Sequence, residues 1–218
     1  MEEWQTKQSA IFVFGVLAVR DPAIPPIKDC ISTRSAISAN LLSNKQWKEY
    51  KIADIATIGR GRVISQTEIN QQLNPQYPVY SSQTSNDGIM GYVDEYDFDG
   101  EYITWTTDGA NAGTVFYRNG RFCCTNVCGI LKIIPNHDAF FIAETLQRAT
   151  NKYVSTNLAN PKLMNNTMAS IKIRLPEYNT QLVIAKVLRL IGNQYKVETR
   201  IADLYKQQKE YLLQQLFI

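Results

Sequence analysis

The stretch Val183–Ile218, VIAKVLRLIGNQYKVETRIADLYKQQKEYLLQQLFI, carries the most regular signal in this chain. Steps of four and three residues from Val183 visit Val187, Leu190, Gln194, Val197, Ile201, Leu204, Gln208, Tyr211, Gln215 and Ile218. Eight of the eleven positions are apolar, and the other three are all glutamine. No proline follows Pro176, and Gly192 is the one glycine after it. A heptad pattern sustained this long predicts a coiled-coil helix. Taken over residues 178–218 it would be roughly 55–60 Å long. Such a rod is too long to pack wholly on one small domain. Its seam, Val183, Val187, Leu190, Val197, Ile201, Leu204 and Tyr211, is therefore expected to meet a second helix, with the glutamines setting register or partner choice. The competing reading folds the helix back onto its own domain.

Upstream, residues 46–177 have another texture. Trp47–Ile58 places Tyr50, Ile52, Ile55 and Ile58 at short apolar intervals and reads as a helix ending at Gly59. Strand-like runs follow at Tyr77–Ser81, Gly91–Val93, Tyr102–Thr106, Thr114–Tyr117, Val127–Ile134 and Ile171–Leu175. Turn signals separate them: Asn86-Asp87-Gly88, Asp99-Gly100, Asp108-Gly109, Asn119-Gly120 and Pro135-Asn136. Val115–Phe122 reads as a hairpin with Asn119-Gly120 at its tip. Asp138–Thr150 suits a short helix. The fold class is thus α+β: a globular domain of short strands and helices followed by the long C-terminal helix.

Residues 1–45 stand apart as an extension. They hold the apolar run Ala10–Val19, then Asp21-Pro22 and Pro25-Pro26, then a Ser/Ala/Asn-rich stretch. The run is half the length of a membrane span, which needs about 20 residues. The chain opens Met1-Glu2-Glu3, unlike the basic start of a secretory signal. We read the run as a buried strand or stray leader and expect no membrane association.

The chain has 218 residues, 44% of them hydrophobic, and a net charge of +3. That balance neither demands nor excludes nucleic acid, because a local basic face can hide in a near-neutral total. Cys30, Cys123, Cys124 and Cys128 lack the paired spacing of a zinc site, and His137 is the only histidine. They read as reduced thiols in a cytoplasmic protein, and no metal or cofactor is expected.

Enzyme signatures are sparse. Neither a phosphate-binding Gly-rich loop with its Lys nor a Gly-x-Ser-x-Gly elbow is present. Asn74-Pro75-Gln76-Tyr77 comes one residue short of the adenine-methyltransferase motif. Asp94, Glu95, Asp97, Asp99 and Glu101 alternate with Tyr96, Phe98 and Tyr102, as on a ribbon with one solvated face. His137, beside a turn, reads as solvated.

The positive signals suit nucleic acid. Arg60-Gly61-Arg62 offers two guanidiniums for phosphates or for guanine. Thr106–Gly113 is a polar loop whose Thr107 and Asn111 suit base edges. A third polar segment contains Lys152, Asn157 and Lys162. With Ser82, these give the candidate DNA contacts: Arg60, Arg62, Ser82, Thr107, Asn111, Lys152, Asn157 and Lys162. No catalytic residue is assigned.

The order of several stretches resembles the specificity subunit of type I restriction–modification systems, in a half-length form. The likeness rests on Trp47–Ile55, Tyr77–Ser82, Asn86–Tyr92, Thr107–Val115, Pro161–Asn166 and Ile171–Pro176 directly before the long helix. It departs where Gly59-Arg60-Gly61-Arg62 stands for a Gly-Gly-Thr-Pro-like turn, and where Thr180-Gln181 stands for a Glu-Gln pair. The resemblance implies a non-catalytic chain in which residues 46–177 form a DNA target-recognition domain and residues 178–218 a dimerisation and spacer helix. Implied partners are double-stranded DNA, modification (methyltransferase) subunits, a restriction subunit through the complex, and a second copy, giving a homodimer on a bipartite site. The specificity chain of a related type II system is an alternative reading. A stand-alone DNA methyltransferase and a purely structural coiled coil are rivals of other classes.

Overall fold

The computed structural model of the chain describes residues 47–155 and 160–216. The extension 1–45, with its apolar run, and Asn157 lie outside them.

Trp47–Ile58 is not one helix. It forms a strand β1 (Lys48–Lys51), a single helical turn α1 (Ile52–Ile55) and a strand β2 (Ala56–Arg60). The apolar spacing of three that suggested a helix is real but is used twice. Ile52 and Ile55 share one turn and are buried, whereas Ile58 sits in a strand paired with Leu131. Next come α2 (Gln66–Asn70), β3 (Tyr77–Tyr80), β4 (Ile89–Val93), β5 (Phe98–Thr106), β6 (Val115–Cys124) and β7 (Cys128–Ile133). The Ser65 hydroxyl starts α2 by accepting from Glu68 N at 3.0 Å. The domain closes with α3 (Ala139–Ala149), α4 (Asn165–Ser170) and β8 (Lys172–Leu175), and α5 (Tyr178–Leu216) follows.

β1 pairs antiparallel with β8, so the chain's entrance to the domain lies beside its exit into α5. The other six strands form one sheet in the order β2-β7-β5-β6-β3-β4, antiparallel except where β3 meets β6. Two sequence turn signals are overturned here. Asn119-Gly120 is no hairpin tip: Val115–Cys124 is one strand, and Gly120 faces Gly100 in the middle of the β5–β6 ribbon. Both glycines take positive φ, 106° and 103°, values open to glycine and costly for other residues. The ribbon must coil. Phe98 pairs with Phe122 and Thr106 with Cys128, positions about 26 Å apart along a straight strand. Yet Phe122 and Cys128 are six residues apart and can be separated by at most about 22 Å. Coiling brings Phe122 and Cys124 against Cys128 and Ile130 in a small aromatic core with Phe98, Tyr80 and Tyr102.

The main core lies between the other sheet face and α3. Trp105, Leu131, Ile142, Leu146, Leu163, Met168 and Ile171 are all fully enclosed there. Asp138 caps α3, its carboxylate accepting from Phe141 N at 2.7 Å. His137 is half-buried rather than solvated. Its ring meets Tyr50 edge-on at 5.4 Å, its Nδ1 is buried without a hydrogen-bond partner, and burial lowers its pKa. Cys123, Cys124 and Cys128 are buried free thiols, and burial pushes Cys123 up to about 11. Among the described residues, no helix is long and apolar enough to cross a membrane.

Candidate nucleic-acid interface

The short turn Thr125–Val127, between β6 and β7, gathers four distant segments. Thr125 N donates to Tyr80 O at 2.8 Å, and its hydroxyl lies 3.3 Å from Ser81 Oγ. Thr107 N donates to Val127 O at 3.1 Å, and Leu163 N to Thr107 O at 2.9 Å. Arg60 Nη1 reaches the Asn126 carbonyl at 3.4 Å, and Gly61 N donates to Cys128 O at 3.2 Å. One loop edge thus collects Arg60, Ser82, the Thr106–Gly113 loop and Pro161–Asn165, although more than a hundred residues separate the first from the last.

On this edge Arg60 is exposed and directed. Its Nε donates to Asn165 Oδ1 at 3.0 Å and its Nη2 lies 3.4 Å from Met164 Sδ. No carboxylate pairs with it among the described residues. Arg62 differs. It donates to Glu68 at 2.7 Å and to Asp97 at 3.2 Å, and the Glu68 hydrogen bond raises its pKa further. Exposed pairs of this kind are worth at most about 1 kcal/mol, so a phosphate could compete for Arg62. Gly61 between them serves an internal purpose: a Cβ there would collide with the Cys124 carbonyl.

The remaining candidates fall on both sides of the surface. Thr107 is fully buried, and its single hydroxyl proton is shared between Asp108 Oδ2 at 2.6 Å and Val127 O at 2.9 Å; it braces the loop from inside. Asn111 is exposed at the loop tip, with its carbonyl accepting from the Thr106 and Thr114 hydroxyls. Ser82 is half-buried beside Ser81. Lys162 pairs with Asp108 at 3.4 Å. Lys152 is exposed in the single turn after α3, tied to the same loop by Thr150 Oγ1, which donates to Gly113 O at 2.7 Å.

Three residues were missed. Asn126 is exposed at the gathering turn; the Thr-Asn pair before Val127 was its faint signal. Asn165 holds Arg60. Arg118 has no sequence signal at all, being one arginine within a strand. It is 7% exposed, lies 3.6 Å from the Tyr80 ring centroid and 4.4 Å from that of Phe116, and burial lowers its pKa. Its Nη2 donates to Asp87 O at 2.6 Å, stapling a turn in which Asn86, Asp87 and Gly88 all have positive φ.

Fold and edge together describe an α+β domain with a loop-lined edge, followed by a long helical rod. Residues 44–204 match the type I restriction modification DNA specificity domain, and the chain belongs to that family. The family groups the non-catalytic, DNA-recognising subunits of type I systems. A Mycoplasma pneumoniae protein named as a putative type I specificity subunit N-terminus is 49% identical over 147 residues, covering 66% of this chain and 76% of that one. The specificity subunit of type I restriction enzyme MpnII from the same organism is 40% identical over 148 residues, covering 67% of this chain and 44% of its own length. The structure of the S subunit from M. genitalium superposes with a TM-score of 0.64 at 15% identity, over 81% of this chain and 47% of that one. HsdS from Thermoanaerobacter tengcongensis gives 0.54 at 13%, over 80% and 46%. The chain therefore spans about half of these longer subunits and three quarters of the relative named as an N-terminus.

Proposed function

We propose that this chain reads one half of a bipartite DNA site with the edge around Thr125–Val127, and pairs through α5 with a second copy. Arg60 carries the reading. A guanidinium exposed, oriented by neutral acceptors and free of any carboxylate among the described residues keeps its charge for a phosphate or for the paired acceptors of guanine. Asn111, Ser82, Lys152 and Asn126 surround it as further contacts, and Arg62 and Lys162 join by exchanging their acids for phosphate. Thr107 acts from beneath. Asn157 is kept as a contact on its sequence alone.

The rod supports the partner reading. Val183, Val187, Leu190, Val197, Ile201, Leu204 and Tyr211 are all exposed on α5. A second apolar stripe, Ile191, Tyr195, Tyr205, Leu212 and Leu216, is exposed beside them. A two-stranded coiled coil covers only one seam. The second stripe would take helices of modification subunits, with the restriction subunit joining through that complex. Such a chain needs no cofactor of its own and works in the cytoplasm.

The test is DNA binding by the full chain across a salt series. Arg60→Ala should weaken binding and, for a phosphate contact, reduce the slope of log K against log salt by about one. For a base contact, preference at one position should relax instead. Wild-type affinity, slope and preference in that variant would refute the edge.

A further inference from the structure

α5 meets its own domain along one short stripe. Gln181, Ala185 and Arg189 follow one another at four-residue steps and share a helix face. Gln181 is 1% exposed and bridges two elements. Its Nε2 donates to the Pro176 carbonyl at 2.9 Å, and its Oε1 accepts from the Asp138 amide at 3.0 Å. Asp138 is the residue whose carboxylate caps α3, and Pro176 directly follows β8. Ala185 is buried in the main core. One turn on, the Arg189 guanidinium lies 4.6 Å from the Phe140 ring centroid and 5.5 Å from that of Tyr117, whose hydroxyl donates to Glu101. From Arg189 onward every described residue is exposed.

We propose that this clamp, with Gln181 as its pivot, is a specificity-determining joint: it fixes the angle between the reading edge and the rod, and so the number of base pairs between half-sites. The inference rests on the bipartite reading above. The rod is a lever. From Ala185 to Leu216 it runs for about 47 Å. A tilt of about 10° at the clamp carries its far end through roughly 8 Å, more than two base-pair steps of about 3.4 Å. Spacing to a single base pair therefore needs a joint held to a few degrees. The apolar contact of Ala185, with half-buried Ile184 beside it, sets distance but is non-directional and leaves tilt soft. Gln181 stiffens it, because its carboxamide has one partner at the start of α3 and another at the end of β8. Any tilt that parts it from either leaves a buried donor or acceptor unmade, which is the expensive state of a hydrogen bond. Arg189 adds a third point about 12 Å along the helix axis from the first. Gln181 is a positioning residue: it acts on DNA through the angle it holds.

The experiment maps methylated sites in a host expressing the full chain with its modification subunit, for wild type, Gln181→Leu and Arg189→Ala. Wild type should show one spacer length. Both variants should keep the half-site bases but accept spacers one or two base pairs longer or shorter, the preference for the wild-type spacer falling at least five-fold. A merely structural role would lower methylation at all spacers together and leave that ratio alone. An unchanged ratio in both variants overturns the joint. Should Gln181→Leu fail to fold, the exposed Arg189→Ala decides alone. A wild-type site without two separated halves overturns the bipartite reading itself, before any variant is compared.

Discussion

Replacing Gly129 by alanine tests how the loop edge around Thr125–Val127 is held from behind. Gly129 lies opposite Trp105 in the β5–β7 pairing. A Cβ on Gly129 would meet Cζ2, Cε2 and Cη2 of the Trp105 ring well inside van der Waals contact. The ring must back away by roughly 1 Å to reach an ordinary separation of about 3.5 Å. It has nowhere to go, being fully enclosed in the main core. Its Nε1 also donates to Leu163 O at 2.9 Å, so retreat breaks the bond that ties the Pro161–Asn165 segment to the sheet. Overpacking costs about 1–3 kcal/mol, and the broken buried bond about another 1 kcal/mol. The sum, roughly 2–4 kcal/mol, should lower Tm by roughly 4–16 °C in a domain of this size. Trp105→Phe removes the offending ring atoms and the donor together. Gly129→Ala should therefore be much milder in the Trp105→Phe background, with a coupling of about 2 kcal/mol in a double-mutant cycle followed by urea unfolding. Strict additivity, or a Gly129→Ala variant as stable as wild type, would refute the account.

Charging the seam with Ile201→Glu and Leu204→Glu should abolish self-association, because a buried unpaired carboxylate is very costly. Sedimentation of an undisturbed oligomer would reject the seam. Inserting one whole heptad into α5 beyond Arg189 should lengthen the preferred spacer and leave the half-site bases unchanged, as read by methylated-site mapping; an unchanged spacer would count against the rod as a ruler. His137 sets a pH dependence. Its folded pKa lies below the ordinary value of 6.5 because of burial, so the unfolded chain binds its proton first. Stability should be fully present above about pH 6.5 and decline as pH falls from there toward the folded pKa. His137→Phe should flatten that part of the Tm profile, and an identical profile would remove His137 as the cause.

The long helix was legible because a heptad needs only local spacing. The strands of the second half were legible for the same reason, as alternating runs between turn residues. What failed were signals whose meaning depends on the partner strand. Asn119-Gly120 and Asp99-Gly100 have turn chemistry, and positive φ is what turn glycines supply. Here the same freedom is spent on coiling a ribbon, which shows only once Gly100 is known to face Gly120. Ile52, Ile55 and Ile58 carry a helical period, yet pairing with β7 and β8 takes the segments around α1 into strands. Of the candidate contacts, Arg60 at the end of β2 and the loop residues Ser82, Asn111 and Lys162 lie in the segments gathered around Thr125–Val127. Which side chains point outward was not legible. Thr107 looked like a reader and is a brace, because burial is decided by Leu163 and Val127 from far along the chain. Gln181 entered only as half of a dipeptide; its work depends on Asp138, 43 residues away.

Beyond Arg189, which stacks on Phe140 and Tyr117, every described residue of the rod is exposed. An uncovered helical stretch gains little stability in water, because most helical stability in proteins comes from packing an apolar face. Its order is then a matter of mass action: helix content should rise with chain concentration as rods find cover. If rods pair as proposed, folding of the distal half and assembly become one equilibrium. A surplus chain would carry a fraying tail open to proteases, while an assembled one would not. Degradation of that tail would trim unpaired copies and keep the stoichiometry of the assembly without any dedicated sensor.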